Sequence, residues 1–156
     1  MDTALELTFG PGTFRFWLPL PRVIEIERNC GTPRIGDMPA CPKSLFQIYD
    51  QLSGGLGLRD DAPVYLSGGG AIVTDVREVI RCALLGGNYG YVAGQEIEIG
   101  PKKASDLIEE YVFPARPLVE SVHVAWAILH KAITGIDLKK KADEEADAPP
   151  LSEKAS

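Results

Sequence analysis

The sequence predicts an α+β protein that is mostly helical, with an N-terminal two-stranded β-hairpin packed on about five helices. Apolar and polar residues alternate clearly with a period of two near the N-terminus, whereas later segments repeat apolar residues every three to four positions. Glycines and prolines punctuate these segments. With 156 residues and 45% apolar content, the chain can form one domain with a sizeable core, which we place at residues 1–136.

The hairpin is predicted from two alternating runs, residues 5–9 and 14–18, whose apolar side chains share one face. Gly10-Pro11-Gly12 lies between them and predicts a three-residue turn. Pro21 then opens a helix, since its missing N–H would be unpaired in the first turn. Gly31 is predicted to end that helix in the left-handed conformation.

Four further helices follow from apolar spacing and end signals. Ser44 and Gln47 form a capping-box pair, and Thr74 is a second N-cap candidate. Prolines open and separate the last two helices. The predicted segments are a helix from Ser44 to Gly54-Gly55, one from Thr74 to Gly86-Gly87, one from Pro101 to the break at Phe113–Pro117, and one from Leu118 to Thr134 stopped by Gly135.

The remaining segments are predicted to be mainly extended or irregular. Val64–Leu66 is a short-strand candidate, and Glu96–Ile99 alternates as a short strand or an extended approach would. Residues 86–94 are predicted to be a flexible glycine loop. Residues 137–156 contain mainly charged and small residues, which cannot bury enough apolar surface to offset their ordering entropy, so we predict a disordered tail.

The net charge of −6 argues against binding to nucleic acid or to an anionic membrane, because both require clusters of Lys and Arg. No signal peptide or apolar run of membrane-spanning length is recognisable, so a cytoplasmic location is expected. Cys30, Cys41 and Cys82 are odd in number and widely spaced, which favours ordinary thiols over disulfides or zinc.

The sequence predicts no catalytic, cofactor-binding or metal-binding residue. His123 and His130 share one helix face roughly 10 Å apart, too far for a common zinc ion, and packing is the favoured interpretation. Serines near glycines lack the nucleophile-elbow pattern. A small hydrolase that uses His123 or His130 is a distant alternative.

Three aromatic residues are candidates for partner binding. Trp17 falls on the polar face of the second strand, and Tyr89 and Tyr91 lie in the glycine loop. Each either packs beneath a neighbouring element or is exposed for a partner, and the sequence leaves both interpretations open.

Three passages resemble the gene transfer agent family of phage tail assembly chaperones. The first is the opening FRFWLPLPRVIEIERNCG at 14–31, and the second is the helix DVREVIRCALLGG at 75–87. The third, at 104–135, ends in the pattern A-x-x-I-L-x-x-A-I-x-G. Together the passages span roughly residues 5–136, although 32–43 and 64–74 are longer and richer in glycine and proline than in a minimal member.

The resemblance implies a non-enzymatic protein of phage, prophage or gene-transfer-agent tail morphogenesis. Its expected partners are the tape-measure protein and the major tail protein that forms the tube, with self-association as a further expectation. A structural minor tail or tail-tube component is the alternative. Such a component would be present in purified particles, whereas a chaperone would have left them.

Overall fold

The computed structural model describes residues 2–136, which form five helices and six strands. The predicted α+β class, with more helix than strand, is confirmed. The predicted tail, 137–156, lies outside the described residues. The strands are β1 (Leu5–Phe9), β2 (Gly12–Phe16), β3 (Leu56–Arg59), β4 (Ala62–Tyr65), β5 (Gly90–Val92) and β6 (Gln95–Ile97). The helices are α1 (Leu20–Asn29), α2 (Leu45–Ser53), α3 (Val73–Gly87), α4 (Pro101–Tyr111) and α5 (Leu118–Thr134).

The N-terminal hairpin belongs to a four-stranded antiparallel sheet with the order β1-β2-β5-β6. Its turn contains two residues rather than the predicted three, because Phe9 pairs directly with Gly12. Gly10 adopts a φ of 54°, as the first position of a two-residue II′ turn requires. The predicted flexible loop at 86–94 is wrong, since it contains β5, which pairs with β2.

Strands β3 and β4 form a separate antiparallel hairpin. The strand predicted at Val64–Leu66 is confirmed as β4, which begins two residues earlier, at Ala62. Its partner β3 was not predicted. Asp60 and Asp61 make the turn with φ values of 51° and 64°. Two successive positive φ values are typical of a type I′ turn, which Asp tolerates better than most residues.

Several predicted helix ends require correction. Gly31 is not in the left-handed region, and it follows Cys30, the right-handed C-cap of α1. A Cβ at Gly31 would lie 2.3 Å from the Cys41 carbonyl oxygen, so close backbone approach explains the glycine. Thr74 lies inside α3, whose N-cap is Ile72. Helices α4 and α5 begin at the predicted residues.

The ends of α2 and α5 follow the sequence signals. Ser44 caps α2 by accepting a bond from the Phe46 backbone N–H, although no bond from Gln47 completes a capping box among the described residues. Gly54 follows the last residue of α2. Gly135 ends α5 in the left-handed conformation with a φ of 73°, as predicted.

Helix α3 lies directly against β2 at its C-terminal end. The helix continues through Gly86 and Gly87 to a left-handed cap at Asn88. The prediction that this glycine pair ends the helix is therefore wrong. Cβ atoms there would lie 2.0 Å from the Trp17 carbonyl oxygen and 1.9 Å from that of Arg15. The glycines therefore allow the helix backbone to touch the strand.

The core lies around α3, which packs against the sheet, α1, α4 and α5. Helix α2 and the β3–β4 hairpin pack on α5. Thus α3 and α5 separate the sheet from the β3–β4 hairpin. Burial of the mainly aliphatic core provides the main driving force for folding. Its largest fully buried side chains include Phe14, Phe16, Ile26, Ile80, Leu84 and Leu129.

Candidate protein-binding surfaces

The outer face of the four-stranded sheet brings Tyr89 and Tyr91 together with residues of β2. Tyr91 pairs with Thr13, and the Tyr89 carbonyl accepts a 3.0 Å bond from the Arg15 backbone N–H. Directly paired residues share a sheet face. Because Phe14 and Phe16 point into the core, Thr13 and Arg15 point outward, and so do both tyrosines.

Tyr89 is held on this face by its neighbours. The Arg15 guanidinium carbon lies 4.8 Å from the centroid of the Tyr89 ring, a cation–π geometry. The Tyr89 hydroxyl donates a 3.3 Å bond to Glu96. Tyr91 is less restrained and 48% exposed.

Trp17 lies just beyond β2, on the side of the sheet that carries Arg15. Its side chain is half-buried, and its indole N–H donates a 3.1 Å bond to the Thr3 hydroxyl. Its backbone N–H bonds the Ala83 carbonyl of α3 at 3.1 Å. Trp17 therefore ties the N-terminus and α3 to the sheet, whereas Tyr91 offers the most exposed ring of the three candidates.

A second surface, which sequence reasoning missed, is an apolar groove between the β3–β4 hairpin and the first turns of α5. Its volume is about 390 Å³. Leu56 and Tyr65, which pair across the hairpin, form one wall, and Val119 and Val122 of α5 form the other. The groove could not be found in the sequence because its walls come from separate segments and β3 was not predicted.

The rim of this groove exposes further apolar surface. Tyr65 is 67% exposed, and Leu58 is also exposed on the hairpin. Leu58 lies two residues from Leu56 and therefore on the same hairpin face. Contiguous exposed apolar surface of this kind is typical of a protein-interaction surface.

The two histidines stack in the packing between α2 and α5. The Trp126 ring lies between them, with its centroid 6.2 Å from that of His123 and 4.6 Å from that of His130. His130 Nδ1 and the Tyr49 hydroxyl are 2.8 Å apart. Trp126 donates a 3.0 Å bond to the Ser53 hydroxyl. Burial lowers the pKa of both imidazoles, which favours their neutral forms.

One group of potential metal ligands is present among the described residues: Glu25, Glu78 and Cys82. Arg81 already occupies their centre, with Nη2 2.8 Å from Glu25 and 2.5 Å from Glu78. Hydrogen bonding to Arg81 lowers the pKa of Glu25. Burial raises the pKa of the Cys82 thiol, which keeps it protonated. The cluster is therefore an ion-pair network that joins α1 to α3.

Comparison of the chain with protein-family models, curated proteins and solved structures yields no match. Among residues 2–136, no helix has the combination of length and apolar character needed to span a bilayer.

Proposed function

We propose that the chain is a tail assembly chaperone of a phage or gene transfer agent. In this role it binds the tape-measure protein and the tail-tube subunits in the cytoplasm while the tail is built. The resemblance of residues 14–31, 75–87 and 104–135 to that family motivates the proposal. The structural observation that supports it is the open apolar groove between the β3–β4 hairpin and α5.

The groove has the form that an amphipathic helix requires. One wall is the Leu56–Tyr65 pair of the hairpin and the other is the start of α5, so the cleft is bounded on both sides by apolar side chains. A partner helix binds such a cleft through apolar anchors at i, i+3, i+4 and i+7. A tape-measure protein, which is long and helical, offers many such segments, so several copies of the chain can line up along it.

The test is co-expression with a tape-measure protein from the same phage or gene transfer agent, followed by affinity capture and light scattering. We expect a soluble complex that contains several copies of the chain. The variant Val119→Glu should lose capture, because it places a charge on the apolar wall. Ile24→Glu, an equally large change on the exposed face of α1, should retain it. Circular dichroism establishes that both variants fold.

The opposite pattern, in which Ile24→Glu abolishes capture and Val119→Glu does not, would exclude the groove as the binding surface. Absence of binding between the chain and the tape-measure protein would contradict the chaperone function itself. Detection of the chain in purified particles by mass spectrometry would then support the alternative function as a structural minor tail or tail-tube component.

A further inference from the structure

We propose that the outer face of the four-stranded sheet is a second docking surface, which binds a basic segment of a partner protein. The face is separate from the apolar groove, because α3 and α5 lie between the sheet and the β3–β4 hairpin. The proposal therefore concerns a different partner contact and does not depend on the tape-measure protein.

The first argument is the charge of the face. Glu6 of β1 pairs with Arg15 of β2 and so shares the outer face, and Glu96 of β6 pairs with Tyr91. Glu98 follows on the same side as Glu96, since Ile97 and Ile99 between and beyond them turn inward. Three carboxylates thus face one guanidinium, a net charge of −2.

The carboxylates are also unengaged by cations. Within residues 2–136, no ion pair includes Glu6, Glu96 or Glu98, and all three side chains are exposed. A Lys or Arg side chain of a partner can approach them without displacing an internal cation, although Glu96 also accepts the hydrogen bond from the Tyr89 hydroxyl. Their charges also repel nucleic acid and disfavour a second copy of this acidic chain.

The second argument is the pair of tyrosine rings. The ring of Tyr89 already holds the Arg15 guanidinium, so a cation on an aromatic ring is stable in this setting. Tyr91 lies two residues away on the same strand face and is 48% exposed. Among the described residues, no cation lies over its ring. Tyr91 and the adjacent Glu96 therefore form a ready acceptor for a partner guanidinium.

The test is titration of the isotopically labelled full chain with a short oligoarginine peptide, followed by two-dimensional amide NMR. We expect saturable shifts concentrated in β1, β2, β5 and β6. Binding should weaken about ten-fold in the triple variant Glu6→Gln, Glu96→Gln, Glu98→Gln. Tyr91→Leu should weaken it about three-fold, whereas Tyr91→Phe should not.

A charge-matched control separates this face from the net charge of the chain. The triple variant Asp37→Asn, Asp50→Asn, Glu110→Gln removes three exposed carboxylates elsewhere and should weaken binding less than two-fold. Equal weakening by both triple variants would overturn the proposal. Shifts centred on another surface would also overturn it, as would binding of a short oligothymidine strand or a second copy to the sheet face.

Discussion

Lys43 Nζ lies 2.5 Å from Asp75 Oδ2, and both side chains are almost fully buried, at 9% and 7% exposure. This ion pair fixes the end of the long connection after α1 to the first turn of α3. The Lys43 backbone N–H also bonds the Glu27 carbonyl of α1 at 2.9 Å. One residue therefore joins the connection to two helices.

Removing one member of this pair should strongly destabilise the protein. Asp75→Ala leaves a buried ammonium without its carboxylate, and we expect the free energy of unfolding to fall by about 3–5 kcal/mol. The double variant Lys43→Met, Asp75→Leu removes both charges and should cost far less. Urea unfolding measures both values; equal losses in the two variants would show that the charge pairing is not the cause.

Stability should also depend on pH through His123 and His130. Their folded pKa values lie below the ordinary 6.5, so below that pH the unfolded chain binds protons that the folded chain does not. Their contribution is complete above pH 6.5 and is lost as pH falls through the folded pKa. The slope should reach at most about 1.4 kcal/mol per pH unit for each histidine.

Urea unfolding between pH 5 and pH 8 provides the measurement, with His123→Phe, His130→Phe as the comparison. The double variant should show a much flatter profile from pH 6.5 downward, whatever its stability at pH 8. Glu25 has a lowered pKa and acts in the same direction, but only below its ordinary 4.5. An unchanged profile in the double variant would therefore exclude the histidines as the source.

The close contact between α3 and β2 should make Gly87 intolerant of any side chain. Gly87→Ala places a methyl group within 1.9 Å of the Arg15 carbonyl oxygen, so backbone atoms must move, and we expect a loss of about 3 kcal/mol or more. Gly100→Ala is the matched control, because no heavy atom lies within 4 Å of its added Cβ. Thermal unfolding of both variants tests this; similar melting temperatures would contradict the contact.

Local signals in the sequence were sufficient to place those helix ends that depend on capping residues and apolar spacing. Pro101 and Leu118 begin α4 and α5, and Gly135 ends α5, as expected from capping and apolar spacing. Strand β5 was missed because three residues in a glycine-rich segment carry no clear period. It is a strand because β2 presents an edge to it, a long-range pairing that a local pattern does not encode.

The candidate surfaces show the same division. Tyr89 and Tyr91 were identifiable as unusual aromatic residues, yet their common face with Arg15 follows only from the pairing of β2 and β5. The glycine pairs were equally ambiguous. Gly54 does follow a helix. Gly86 and Gly87 instead lie against the backbone of residues 15–17, which is distant in the sequence, and this close contact requires glycine.

The pairing of β2 with β5 has a consequence for synthesis on the ribosome. Residues 17–89 separate the two strands, so at about 5–20 residues per second the edge of β2 emerges roughly 4–15 s before its neighbour. During that interval the nascent hairpin exposes unpaired backbone groups and phenylalanine side chains to other chains. Premature termination before Gly90 would make the exposure permanent and produce an aggregation-prone fragment.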